Sequence, residues 1–375
     1  MTHYPEDPRR AEALAMDMAE ISDRLGLQDL KPAGHELVGP CPQCGGTDRF
    51  GINKRKNVFN CRRCGGTGGN IDLVMFVQGM DFKAALEWLC GPSEGISDAE
   101  RQRRIEKAEE NRRRNVARAQ KERETAIRLG REIWMAGKPA EGTAVREYLA
   151  RRGISVELLP RLPLCLRFHP DLAYTVKIDG EWREAHRGPA MLAAVQRPDD
   201  RFSAVHRTWI DLDQPKGKAR VFHPVSGAEL PAKKVLGSKK GGAIRLTAVA
   251  STMIMAEGIE TTATALVAAS EPDCAYWAGV DLGNMSGQRK SGPGHKYSGI
   301  PDMGDAEAWV PPRGVNRLIF IQDGDSDPRL TRAKLEAGLR RAMVLRPGLR
   351  GQIVHAGQGV DLNDVLMGAN DAPIS

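Results

Sequence analysis

Aromatic side chains are scarce: six Trp, five Tyr and eight Phe make up 5% of the 375 residues. Any contact with nucleic acid is therefore expected to lean on Lys and Arg more than on stacking. No apolar run reaches the roughly 18 residues that a transmembrane helix requires, so no membrane partner is expected. The segment Met1–Arg24 is mixed and charged and lacks the apolar core of a signal peptide, which makes the cytoplasm the expected location. In that compartment the seven cysteines read as thiols or metal ligands rather than disulfides. The phosphate-binding pattern Gly-x-x-x-x-Gly-Lys-Ser/Thr is missing, so neither a Walker-type ATPase nor a fused helicase is expected. No internal repeat is visible.

What is present is positive charge. The formal net charge is +7 and the pI about 9.1, which favours a polyanionic partner. The length allows two or three domains with a sizeable core.

The strongest local signal is a repeated knuckle. Cys41-Pro42-Gln43-Cys44-Gly45-Gly46 is echoed by Cys61-Arg62-Arg63-Cys64-Gly65-Gly66. Each Cys-x-x-Cys-Gly unit offers two thiolates to one ion, and the 16 residues between Cys44 and Cys61 suffice for a hairpin that joins them. Four thiolates in tetrahedral array suit a single structural Zn²⁺. The hairpin is basic, with Arg49, Lys54, Arg55, Lys56, Arg62 and Arg63. The cations read as phosphate contacts, whereas Phe50 and Phe59 read as the small core of the hairpin. The run Cys41 to Phe50 closely resembles the zinc ribbon of primases and primase–helicases from phages and satellite elements. That resemblance implies binding of a single-stranded template through Arg49, Arg62 and Arg63.

Two apolar strands end in acid. Leu318 to Gln322 leads into Asp323-Gly324-Asp325-Ser326-Asp327, and Met253 to Ala256 leads into Glu257-Gly258-Ile259-Glu260 and a helical segment, Thr261 to Ala269. Clustered carboxylates repel, and a hard divalent cation would relieve that repulsion through oxygen ligands. A solvated turn after each strand is the competing reading. The order strand, Glu-Gly turn, helix, later strand ending Asp-x-Asp resembles the Toprim domain of bacterial-type primases, topoisomerases and some nucleases. The resemblance implies that Glu257, Asp323 and Asp325 bind Mg²⁺ or Mn²⁺ at the C-terminal edge of a parallel sheet, with Asp327 a further acid. Gly359-Val360-Asp361-Leu362-Asn363-Asp364 resembles the motif that ends primase Toprim domains, which adds Asp361; Asp364 reads equally as a helix cap.

Between these regions lie two others. Residues 92–136 are densely charged and read as a solvated helical linker. Residues 137–245 carry strand-like runs and cationic stretches. Tyr148-Leu149-x-x-Arg152-Gly153-Ile154 resembles the start of the basic subdomain that precedes Toprim in primases. Arg207, Lys234 and the neighbouring Lys233 match the family's arginine strand and Lys-x-Leu element, which face template and incoming triphosphate.

The expected architecture is a multidomain α/β chain: a zinc-ribbon domain (1–91), a charged helical linker (92–136), a basic α+β subdomain (137–245) and a Toprim-type parallel-sheet α/β domain (246–375). The resemblance implies a DNA primase that joins ribonucleotides on single-stranded DNA and works with a separate replicative helicase. A Toprim-class nuclease and a non-catalytic single-strand-binding protein are the alternatives.

Overall fold

The structure, a computed structural model, describes residues 7, 9–33, 36–54, 56–92, 97–178, 180–268, 273–290, 297–324, 327–355, 357 and 362–368; nothing is said of the side chains of residues 98, 101, 108 and 112. The chain divides into two compact units, one within residues 1–122 and the other from residue 123 onward.

The first unit opens with α1 (Arg9–Ala15) and α2 (Met18–Arg24). Sequence periodicity predicts one helix over residues 8–30, and the difference has a local cause. Asp17 is extended and its side chain accepts from the Ala19 N–H, which starts a new helix. Asn57 and Asn70 donate their side-chain amides to the Met16 carbonyl, and Asn70 also reaches Ala13, so the end of α1 is satisfied from outside. Met18 and Ile21 are buried as expected, but Leu14 is exposed.

An antiparallel sheet follows in the order β1 (Lys31–Ala33), β2 (Glu36–Cys41), β3 (Gly45–Asn53), β4 (Val58–Cys61), β5 (Thr67–Gly68). Alternation puts Phe50 and Ile52 of β3 and Phe59 of β4 on the inner face. There Phe50 and Phe59 meet Phe76 of α3 (Asn70–Gln78), with ring centroids 5.2–6.2 Å apart. Asp81 accepts from the Ala84 N–H and starts α4 (Phe82–Cys90).

Helix α5 runs unbroken over Asp98–Ala136, and the division between the units falls inside it, at Glu122 and Arg123. Its exposed part is laced by i,i+4 ion pairs such as Arg113–Glu109 and Arg128–Glu132, each worth about 0.3–0.5 kcal/mol. Its last turns are not solvated. Ile133 and Trp134 pack on the second unit's core, and Gly130 admits the Leu236 carbonyl where a Cβ would come within 2.7 Å.

The second unit contains β6 (Lys138–Pro139), α6 (Ala144–Ala150), β7 (Leu166–Ile178), β8 (Glu181–Gln196), β9 (Phe202–Trp209), the small pair β10 (Val221–Phe222) and β11 (Glu229–Leu230), and β12 (Lys233–Gly237). The antiparallel order is β12-β9-β8-β7-β6. The expected strand Leu164–His169 extends to Ile178, because a bulge between His169 and Leu172 absorbs Pro170. The helix expected after Ser155 is replaced by turns, since Pro160 and Pro163 leave too few residues for one. One face of this sheet, with Met191, Ala193 and Ala204, joins Val145 and Tyr148 of α6 in a core. The other, with Leu192, Val205 and Trp209, receives Trp134.

A second sheet is built from β13 (Ile244–Arg245), β14 (Thr252–Ala256), α7 (Ile259–Val267), β15 (Cys274–Ala278), α8 (Leu282–Ser286), β16 (Arg317–Gln322), α9 (Pro328–Leu345), β17 (Arg350–His355) and α10 (Leu362–Leu366). Its order is β13-β15-β14-β16-β17, with the last four strands parallel and β13 antiparallel. The chain moves from β14 outward to β15 on one side and to β16 and β17 on the other, which makes the β14–β16 boundary a topological switch point. Helices α7 and α9 belong to different cores, as right-handed crossovers in opposite directions require.

Helix α9 lies close on α8 at Gly338, where a Cβ would sit 2.6 Å from the Met285 carbonyl and 3.2 Å from Phe320. Gly338→Ala gains about 1 kcal/mol of helix propensity and loses about 1–3 kcal/mol to overpacking. The expected result is a lower melting temperature, and a higher one would show that α8 can withdraw.

Candidate functional site

The four ribbon cysteines converge. Gly45 and Gly65, at φ of 64° and 77°, turn the chain back after each second cysteine. Sγ of Cys41 and Cys64 are 3.8 Å apart, those of Cys44 and Cys61 3.5 Å, and all four lie within 4.8 Å of one another. Tetrahedral zinc thiolates at 2.3 Å from the ion would stand about 3.8 Å apart, so the donor set fits Zn²⁺. Burial works to raise the Cys61 thiol, but the N–H groups of Cys64 and Arg63 and the neighbouring thiols bring it down to about 6. The knuckle thus favours a thiolate before any ion arrives. Arg62 and Arg63 are exposed at this end, and Arg49 folds back toward the Cys44 carbonyl at 3.4 Å. Arg55 lies outside the described residues.

The second acidic region sits at the switch point. Met255 pairs with Phe320 in the parallel ladder. Extending that register by two residues sets Glu257 beside Gln322, one residue from Asp323. Both acids are half-buried, at the C-terminal ends of adjacent strands. Asp325 and Asp361 lie outside the described residues. Asp327, expected as a further metal-binding acid, is engaged otherwise: its Oδ1 accepts from the N–H groups of Arg329 and Leu330 and caps α9. Asp364 does not cap a helix, since it lies within α10 and pairs with Lys216 at 3.3 Å. The buried residue there is Asn363, whose amide bridges the Arg152 carbonyl and Thr264 Oγ1.

Three residues that motif reasoning passed over form a buried polar cluster beside Glu257. Glu260, on the first turn of α7, is 4% exposed. It accepts from the Tyr148 hydroxyl on Oε1 and from Lys233 Nζ at 3.0 Å on Oε2, and Lys218 Nζ stands 3.3 Å from Oε1. Burial alone would push this carboxyl up; Lys233, Lys218, the Tyr148 hydroxyl and its own N–H hold it well below the usual range. The available signal was the second acid of Glu257-Gly258-Ile259-Glu260, which strand-end reasoning assigned no role.

The sheet separates the expected phosphate contacts. Lys233 faces Glu260, whereas Arg207 and Lys234 are register partners on the opposite face. There Arg207 lies 5.3 Å from the Trp209 ring, and Lys234 Nζ donates to the Thr175 carbonyl at 2.6 Å above the Tyr174 ring. Burial lowers Arg207 to about 10 and, with Arg207 alongside, Lys234 to about 8. Arg207 and Lys234 therefore do not share a face with Lys233.

Residues 14–104 match the family model of the CHC2 zinc finger, the zinc ribbon of DnaG. The chain carries a DnaG-type zinc ribbon. In this primase-type ribbon the four cysteines are the zinc ligands that the geometry fits. Residues 124–246 match a family described as a domain of unknown function (DUF7146). No curated protein matches the chain. Among solved structures it is similar to the zinc-binding and RNA polymerase domains of the Aquifex aeolicus primase, at 13% identity over 97% of this chain and 82% of that one (TM-score 0.36). It is also similar to a DnaG primase catalytic domain bound to single-stranded DNA, at 14% identity over 66% and 78% (TM-score 0.40). The primase fragment of the bacteriophage T7 primase–helicase is a further likeness, at 13% identity over 89% and 95% (TM-score 0.31). No described helix is long and apolar enough to cross a membrane.

Elemental analysis is expected to return about one Zn²⁺ per chain, and Cys44→Ser to lose it along with the ribbon's stability, since structural zinc contributes about 10–16 kcal/mol in small zinc domains. Zinc-free protein with an unchanged melt would refute the site. His206 offers a separate pH test. Burial, then the nearby Lys233, lowers it to about 3, while Glu260 opposes and Arg207 and Lys218 add to the effect. Between pH 6.5 and 3 the unfolded chain holds a proton that the folded chain refuses, so this group's contribution is full above 6.5 and falls by about 1.4 kcal/mol per pH unit below it. His206→Gln is expected to flatten the melting-temperature profile over that range; an unaltered slope would show that His206 takes up its proton in the fold.

Proposed function

We propose that the chain is a DNA primase that joins ribonucleotides into short primers on a single-stranded DNA template. The observation that carries this reading is the placement of Glu257 and Asp323 at the switch point of a parallel sheet, in a chain that also bears a DnaG-type zinc ribbon. The resemblance of their motif to Toprim assigns Asp325 and Asp361 to the same set of acids.

Carboxylate oxygens on neighbouring strands suit a hard divalent cation. Mg²⁺ or Mn²⁺ held there would lower the pKa of the attacking 3′-hydroxyl and neutralise charge on the leaving pyrophosphate. Glu257 and Asp323 orient the reacting phosphate by fixing where that charge sits. Lys233, on the same side as Glu260, meets nucleotide phosphates. Arg207 and Lys234, on the far face, suit the template backbone, as do Arg49, Arg62 and Arg63 of the ribbon. A separate helicase would supply the opened duplex.

The test is primer synthesis on single-stranded DNA with labelled ribonucleoside triphosphates and Mg²⁺ or Mn²⁺. Short products are expected from the wild type, with Asp323→Ala reducing the rate by about a hundredfold or more, the scale of losing a charge-stabilising group. Template shortening would convert the reading to a nuclease. Salt-sensitive binding with neither activity would convert it to a binding protein.

A further inference from the structure

The cluster around Glu260 has more positive charge than it needs. One carboxylate faces two ammoniums, Lys218 and Lys233, and the neighbouring Arg152 adds a third cation to the field that both lysines feel. Glu260 is 5% exposed at its side chain, whereas Lys218 and Lys233 keep 29% and 34% open. Each ammonium has three donors and is held on one side by Glu260, leaving donors for an outside acceptor. His206, kept neutral by burial, brings no competing charge. Two further polar atoms in this neighbourhood, His206 Nδ1 and Thr208 Oγ1, are buried without a hydrogen-bond partner, and Thr208 is the register partner of Lys233. An excess of cations over carboxylate beside unspent polar atoms is a preorganised receptor for an anion with several oxygens.

We propose that Lys218 and Lys233 form a polyphosphate-binding site and that Glu260, backed by Tyr148, is the positioning residue that holds both ammoniums in register for it. Glu260 lies three residues beyond Glu257, so the site adjoins the acidic strand ends. The ligand class is the triphosphate tail of a nucleotide; that identity rests on the proposed function, while the anion site itself rests on the cluster. Lys218 enters from the β9–β10 connection and Lys233 from β12, which gives two independent points of attachment spaced by one carboxylate.

The experiment is calorimetric titration of the full chain with tripolyphosphate, without added divalent metal, alongside a short single-stranded oligonucleotide. Wild type is expected to bind tripolyphosphate saturably. Lys218→Gln should weaken it by about tenfold or more, the scale of one charge-assisted hydrogen bond, and leave the oligonucleotide affinity within about twofold. Lys216→Gln removes the same charge two residues away, from a lysine paired with Asp364, and should change tripolyphosphate affinity by less than about twofold. Glu260→Gln adds net positive charge, so simple attraction would tighten binding, whereas positioning predicts weaker binding in protein that retains its melt. Equal losses in Lys216→Gln and Lys218→Gln would overturn the proposal. So would wild-type affinity in Lys218→Gln, loss of oligonucleotide rather than tripolyphosphate binding, or tighter binding by Glu260→Gln. If primer synthesis fails while tripolyphosphate binding depends on Lys218, the primase reading falls and the site stands. If primers are made with an unchanged nucleotide KM in Lys218→Gln, the site falls and the primase reading stands.

Discussion

A carboxylate cannot stay charged inside a protein without partners, and Glu260 has drawn its partners from three separate segments. Tyr148 comes from α6, Lys218 from the connection before β10, and Lys233 from β12. Removing one member of such a group costs about 3–5 kcal/mol, because the charge left behind has no water to turn to. The antiparallel sheet and the parallel sheet are thereby held at one angle and in one register. That register decides which cations of β12 turn toward the acidic strand ends and which turn away. A single-residue slip would exchange Lys233 for Lys234.

Charge is handled differently in each part of the chain. In the ribbon, knuckle N–H groups favour the thiolate and a metal completes the balance. Along α5 the charges stay in water and pair at i,i+4, which adds little but keeps a long helix soluble. On the far face of the antiparallel sheet, Arg207 and Lys234 rest on aromatic rings and a carbonyl. Aromatics are few, but two of them, Trp209 and Tyr174, stack 4.6 Å apart under these cations and so serve as packing surface and as electrostatic support together.

Local chemistry was the legible part of the sequence. Cys-x-x-Cys-Gly makes a knuckle wherever it occurs, so the four thiolates were identifiable from spacing. Apolar runs ending in Glu-Gly and Asp-Gly marked β14 and β16 and the acids at their tips. Phe50 and Phe59 read correctly as core, because alternation on β3 and β4 leaves them one face to occupy. The errors came where one local signal outweighed another. Asp17 starts a helix inside what periodicity takes for one helix, and a bulge carries a strand past Pro170. Asp327 has the spacing of a metal ligand and the position of a helix cap, and the N–H groups of α9 are nearer.

The sequence alone determined the ligand set of the ribbon, the strand-end carboxylates and the excess of positive charge, because each depends on residue type and short-range spacing. Only the tertiary structure decided which cations face which acids. Lys233 and Lys234 are neighbours in the chain and lie on opposite sides of a sheet; Glu260 and Lys218 are 42 positions apart and lie 3.3 Å from each other. Strand register and the packing of α6 and α7 set those distances. Both follow from the burial of side chains far apart in the chain, which no local pattern records.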